Sequence, residues 1–152
     1  MYNILRLTSD HPDFISLVQL LDADLAIRDG ADHSFYAQFN KIDKIKHCIV
    51  IYDNGQAVAC GAIRPVDTHS AEIKRMFVRP EYRQRGLATM ILKSLESWAL
   101  EIGFKTCILE TGKKQPEAIT LYIKNGYHQI ANYGPYKDID NSLCFEKQIL
   151  YL

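Results

Sequence analysis

Hydrophobic and polar positions change period several times along the chain, and each change marks an element. The run Tyr2–Leu7 (YNILRL) reads as a strand. In Asp10–Gly30, Phe14, Leu17, Val18, Leu21 and Leu25 recur at helical spacing, with Pro12 near the start and Gly30 past the end, which predicts an amphipathic helix. Ala31–Lys46 is polar and irregular, with room for a short helix, and its lysines form a solvated face. Three strand-like runs follow: His47–Asp53 (HCIVIYD), Gln56–Val66 and Ser70–Arg79. Asn54-Gly55 and a turn near Asp67-Thr68-His69 separate them, so a three-strand meander is the simplest reading. From Gly86 the period is helical again, with Leu87, Ile91, Leu95, Trp98 and Ile102 in one stripe that stops at Gly103. Lys105–Thr111 is then a strand. Pro116–Gly126 is a helix with proline at its first position and glycine at its stop. Tyr127–Tyr133 and Ser142–Leu150 supply two last strands.

Adjacent antiparallel strands followed by strand–helix–strand units imply an α/β (α+β) chain. Its sheet is mixed, mostly antiparallel and six- to seven-stranded, flanked by about four helices. A chain of 152 residues suits one domain, 1–152, and shows no internal repeat or linker.

Composition narrows the function classes. Eighteen basic residues balance eighteen acidic ones, so nothing in the overall charge favours nucleic acid or an anionic membrane. The N-terminal stretch lacks the pattern of a signal peptide, and no apolar run approaches the roughly 20 residues that span a bilayer. Cys48, Cys60, Cys107 and Cys144 are widely spaced among apolar residues and read as buried strand thiols, which points to a reducing, cytoplasmic setting. The histidines are scattered without metal-ligand spacing, and no metal is expected.

The start of the second long helix is unusual. Helix N-termini favour acidic residues, because unpaired backbone N–H groups and the helix dipole make that end positive. Here Arg79, Arg83 and Arg85 crowd Gly86 instead. A strand that runs through a glycine-containing loop into a helix forms a nest of N–H groups suited to phosphate, and arginines add further contacts. A pyrophosphate would offset the positive charge, and neither GxxxxGK(S/T) nor GxGxxG is present to suggest a nucleotide triphosphatase or a dinucleotide fold. On spacing alone, a solvated turn explains the arginines equally well.

Context favours the anion. Arg83-x-x-Gly86-x-Ala88, directly after the strand EIKRMFV and opening the long helix, resembles the acetyl-CoA signature of the GNAT acetyltransferase superfamily, (Q/R)-x-x-G-x-(G/A). Gln115–Tyr127 (QPEAITLYIKNGY) is similar to that superfamily's next motif, and the element order agrees along essentially the whole chain. The resemblance implies acetyl-CoA as cofactor. It places Met76, Phe77 and Val78 where backbone groups meet pantetheine. Arg83, Gln84, Arg85, Gly86, Leu87, Ala88 and Thr89 fall where loop and helix amides hold the pyrophosphate. Gln115 stands where the family often has Asn, a better helix cap.

Acetyl transfer from a thioester to an amine needs a group to take the amine's proton, since a lysine-like amine is mostly protonated at neutral pH, and an acid to protonate the departing thiolate. Tyr122 in LYIKNGY matches the tyrosine that many family members aim at the thioester sulfur, and it also lines the cofactor side. The alternative is a core tyrosine on a face shared with Ile119 and Ile123. Glu72, eleven residues before Arg83, has the offset of the glutamate base in the histone-acetylating branch. The alternative there is a surface glutamate paired with Lys74 or Arg75. Weaker acceptor-side candidates are Asp32, His33, Tyr36, Glu110 and Tyr136, with Tyr133 beside the last.

The expected activity is therefore direct acetyl transfer to a primary amine of a small molecule. Acetylation of a protein N-terminus or lysine, and a noncatalytic acyl-CoA-binding module, are the alternatives. A homodimer is consistent with the family.

Overall fold

The computed structural model describes residues 1–30 and 44–150. Its strands are β1 (Tyr2–Leu7), β2 (His47–Asp53), β3 (Gln56–Pro65), β4 (Ser70–Val78), β5 (Thr106–Gly112), β6 (His128–Ile130) and β7 (Ser142–Gln148). Its helices are α1 (Pro12–Asp29), α2 (Leu87–Ile102) and α3 (Pro116–Lys124), and short 3-10 turns occupy Pro80–Tyr82 and Gly134–Tyr136. The seven strands form one mostly antiparallel sheet in the order β1-β2-β3-β4-β5-β7-β6. Four helices are expected and three occur among the described residues; residues 31–43, part of the segment with room for the fourth, lie outside them.

The chain divides into two compact units, Met1–Arg64 with Ile73–Leu95 and Pro65–Glu72 with Glu96–Leu152. In the first unit, Cys48 pairs with Ala62 and Val50 with Cys60 across β2 and β3, so all four project from one face. Phe14, Leu17, Val18 and Leu21 of α1 pack there in one apolar cluster with Phe77. Helix α1 starts where Pro12 takes the first turn and His11 Nδ1 accepts the Asp13 amide at 3.1 Å. The other face carries Ile49, Ile51 and Ile63, all buried. On that face a Cβ on Gly61 would come within 2.5 Å of Ile91 and 2.8 Å of Met76, so only glycine lets α2 lie this close. Cover on both faces explains why Cys48–Ile51 is continuously apolar. Asn54 and Gly55, at φ 49° and 87°, make the left-handed two-residue hairpin turn between β2 and β3.

In the second unit β5 is central. It pairs in parallel with β4 over Ser70–Glu72 and antiparallel with β7 along Thr106–Gly112. The strand expected over Tyr127–Tyr133 is only His128–Ile130, because Asn132 Nδ2 turns away to donate to the carbonyls of Ile139 and Ser142 at 3.1 and 3.0 Å.

The face of α2 also differs from expectation. Leu87, Ile91, Leu92, Leu95 and Ala99 are buried, whereas Ile102 is 43% exposed. The buried arc is rotated toward Glu96, whose carboxylate accepts from Tyr127 Oη and Lys147 Nζ, both at 2.8 Å. A polar group buried by partners is invisible to an apolar pattern.

Candidate active site

The loop that ends β4 is shaped for an anion. Gln84 and Gly86 are left-handed, at φ 64° and 79°, and Leu87 opens α2 directly after them. Such residues turn successive amides into one concavity. None of the turn and cap hydrogen bonds of the described backbone takes the N–H of Arg85, Gly86, Leu87 or Ala88, and the first such bond at this end is Met90 N–H to the Gly86 carbonyl at 3.1 Å. No acidic residue stands in the first turn, and no atom lies within 4 Å of where a Cβ on Gly86 would sit. These donors and this open approach fit the diphosphate of coenzyme A.

The three arginines have separate roles. Arg79 belongs to the sheet, its Nε donating to the Ala57 carbonyl at 2.8 Å and its amide to Val58 at 2.9 Å. Arg83 is exposed and folds back, donating from Nε to the Val78 carbonyl at 2.9 Å with its guanidinium 5.7 Å from the Phe77 ring centroid. Arg85 lies 4.9 Å over Tyr82, whose hydroxyl donates to Asp53 at 2.7 Å, and it is hydrogen-bonded to Tyr2. The positive charge is thus spread over aromatic faces and polar neighbours.

Upstream, Phe77 is buried in the α1 core while Met76 and Val78 are half-buried, and the Val78 carbonyl already accepts from Arg83. Arg75 is left-handed at φ 61° in mid-strand; its buried guanidinium lies 3.5 Å from Asp22, and its carbonyl accepts from Cys60 Sγ at 3.2 Å.

The candidate acid and base lie in the second unit. Glu72 is 3% exposed and is the last residue of β4 that pairs with β5, opposite Ile108. It therefore does not sit at the sheet surface. Its Oε2 accepts from the Tyr133 hydroxyl at 2.6 Å. Glu110, two residues beyond Ile108, pairs with Cys144, so Glu72, Ile108, Glu110 and Cys144 share one face of the ladder. Electrostatics agree: burial, and then the Glu110 and Glu72 charges, push the Cys144 thiol up to about 11. Burial and the Glu72 carboxylate likewise hold the Tyr133 hydroxyl far above the ordinary tyrosine range. Tyr136 is buried and meets the Tyr133 ring edge-on, with centroids 6.0 Å apart.

Tyr122 approaches from the other face. Its ring is 6.4 Å from Phe145 and 5.9 Å from Tyr127, and Phe145 alternates with Cys144 along β7. Burial, and then the Glu110 charge, raise its hydroxyl above the usual range, so it keeps its proton at neutral pH, as a proton donor must. It is the buried residue of α3, whereas Ile123, expected on the same face, is 58% exposed. Glu110 is thus an electrostatic neighbour of Tyr122 on one side and of Cys144 on the other.

The ladder face brings Glu72, Glu110, Tyr133 and Tyr136 together. Gln115 occupies the N-cap position of α3 without a side-chain capping bond, as its residue type leads one to expect. Asp32, His33 and Tyr36 lie outside the described residues. No local pattern in the chain pairs Tyr133 with Glu72, because 61 residues separate them. Among the described residues no three His, Cys, Asp or Glu side chains form a metal-binding group, and no helix is long and apolar enough to cross a membrane. All four cysteines are free and buried, as expected.

A model of the acetyltransferase (GNAT) family matches residues 14–127. An IAA acetyltransferase of Azospirillum brasilense is 37% identical over 103 residues, which make up 66% of this chain and 67% of that protein. A solved protein of Klebsiella pneumoniae, assigned as an acyl-CoA N-acyltransferase, superposes with a TM-score of 0.84 at 30% identity over 99% of each chain. A GNAT acetyltransferase of Elizabethkingia anophelis with acetyl-CoA bound shares the fold at a TM-score of 0.69 and 17% identity, covering 97% of each chain. Sequence and fold converge: the chain belongs to the GNAT family of acetyltransferases, and acetyl-CoA is its acyl donor.

Proposed function

We propose that this acetyltransferase acts on the primary amine of a small molecule by direct transfer, with Glu72 as proton acceptor and Tyr122 as proton donor. The observation that carries the reading is a buried carboxylate at the end of the β4–β5 pairing, oriented by a phenol, in the same unit as a tyrosine held firmly in its protonated form. Acetyl-CoA, when bound, supplies a thioester carbonyl that a neutral amine attacks. The amides of residues 85–88, with Arg83 and Arg85, would hold the diphosphate, and backbone groups of Met76, Phe77 and Val78 would meet the pantetheine. Glu72 takes the proton that makes the amine nucleophilic, directly or through one water. Tyr122 gives its proton to the departing sulfur. No covalent enzyme intermediate is needed.

Balanced overall charge supports a small acceptor over a nucleic-acid-bound or strongly charged one. We place the enzyme in the cytoplasm, the reducing compartment in which four unpaired thiols persist, and treat 1–152 as one catalytic domain.

Free-thiol release from acetyl-CoA across amino acids, polyamines, aminoglycosides and peptides tests this directly. Turnover with a small amine is the expected result. Turnover with peptides alone moves the acceptor to proteins. Calorimetric binding of acetyl-CoA without release for any amine leaves a noncatalytic binding module.

A further inference from the structure

We propose that Tyr133 is a positioning residue for acetyl transfer, orienting the Glu72 carboxylate through the hydrogen bond from its hydroxyl. This rests on the reading of Glu72 as the proton acceptor. The separation of 2.6 Å lies within the range of charge-assisted O–H···O⁻ bonds. Because a carboxylate is planar, holding Oε2 also sets the direction in which Oε1 faces.

The donor itself is fixed from several directions. The Tyr136 ring meets it edge-on at 6.0 Å, and the Tyr136 amide donates to the Tyr133 carbonyl at 3.0 Å. The Tyr133 backbone bonds to the Cys144 thiol, and the preceding residue, Asn132, clamps the chain to Ile139 and Ser142. This loop is tied down on both sides of the phenol, as positioning requires.

Donor chemistry matters as much as geometry. A lysine or arginine in this place would orient the carboxylate but also weaken its hold on a proton, since an opposite charge within about 4–6 Å favours the ionised form by one to three pK units. A phenol is neutral and directs the carboxylate without cancelling its charge. Burial and the Glu72 charge keep the Tyr133 proton in place, so the pair does not exchange roles. Among the described residues of this unit, Glu110 from β5, Cys144 and Glu146 from β7 and His128 from β6 share the ladder face with Glu72.

The test is a double-mutant cycle. Thiol release with the fastest amine of the panel above is followed from pH 6 to 10 in the parent, Tyr133→Phe, Glu72→Gln and the double variant, with melting temperature recorded for each. Expected for Tyr133→Phe are a loss in kcat of about tenfold or more, a KM for acetyl-CoA within about twofold, and an acid limb displaced to higher pH. Added to Glu72→Gln, the same substitution is expected to cost less than about twofold further. An equal loss in both backgrounds, or a loss confined to KM, overturns the positioning role and leaves Glu72 as base. If Glu72→Gln turns over like the parent, the base assignment fails and takes the inference with it. A proton spectrum of the parent guards against a variant that does not fold. A downfield hydroxyl resonance that disappears in Glu72→Gln is expected, and its absence from the parent overturns the proposal.

Discussion

At the scale of single residues, burial and charge distinguish the two groups proposed to handle protons. Tyr122 is kept protonated by burial and by the neighbouring Glu110 charge. Removing only its hydroxyl therefore removes the proposed proton donor while leaving a ring that still packs against Phe145 and Tyr127. Tyr122→Phe is expected to lower kcat by about a hundredfold, with the acetyl-CoA dissociation constant changed less than about threefold. Steady-state rates beside calorimetry check this, and equal losses in both would remove the donor role. Glu72→Gln is expected to lose turnover at pH 7 and regain part of it near pH 10, where a lysine-like amine of pKa about 10.4 begins to deprotonate itself. A loss that is constant across that range would exclude Glu72 as base.

Two glycines show opposite constraints at the scale of elements. Gly86 has open space around it, but its φ of 79° is a conformation that costs an L-residue about 1–2 kcal/mol. Its substitution also places a methyl group where the proposed diphosphate would approach. Gly86→Ala should therefore weaken acetyl-CoA binding by at least about tenfold while lowering the melting temperature only by a few degrees. Gly61 has an ordinary backbone but no room, with Ile91, Met76 and Leu95 within 3.0 Å of the place a Cβ would take. Gly61→Val forces α2 away from β3 and is expected to cost about 1–3 kcal/mol in urea unfolding without changing acceptor preference.

Over the whole molecule, the buried thiols and phenols set the response to alkali. Burial pushes Cys48 and Cys107 up to about 12 and Cys144 to about 11, and it also raises Cys60, Tyr122, Tyr127 and Tyr133. In the unfolded chain, thiols ionise near about 8.5 and phenols near about 10. Above those values the unfolded state binds fewer protons than the folded one, so stability falls as pH rises. The contribution is complete below about pH 8.5 and is lost progressively as pH climbs toward the folded values. The urea midpoint is therefore expected to decline from pH 8 to 10.5, and a flat midpoint would show that these groups are not buried in solution. In parallel, a thiol reagent at neutral pH should modify none of the four cysteines until the protein unfolds.

The sequence by itself determined most of the elements and the glycine-containing loop that leads from β4 into α2, because each depends on residues close together in the chain. Apolar spacing gave α1 its core face through Phe14, Leu17, Val18 and Leu21, and a glycine between arginines at a helix start exposes its amides whatever surrounds it. Only the tertiary structure decided which arginine serves the sheet and which the loop, how far the buried arc of α2 turns toward Glu96, and that Tyr133 reaches Glu72 across 61 residues. Those outcomes follow from strand register and from polar groups that become buried by finding one another. Neither leaves a periodic signal in the chain, since a hydrogen-bonded Tyr–Glu pair in the interior is written with the same letters as two residues at the surface.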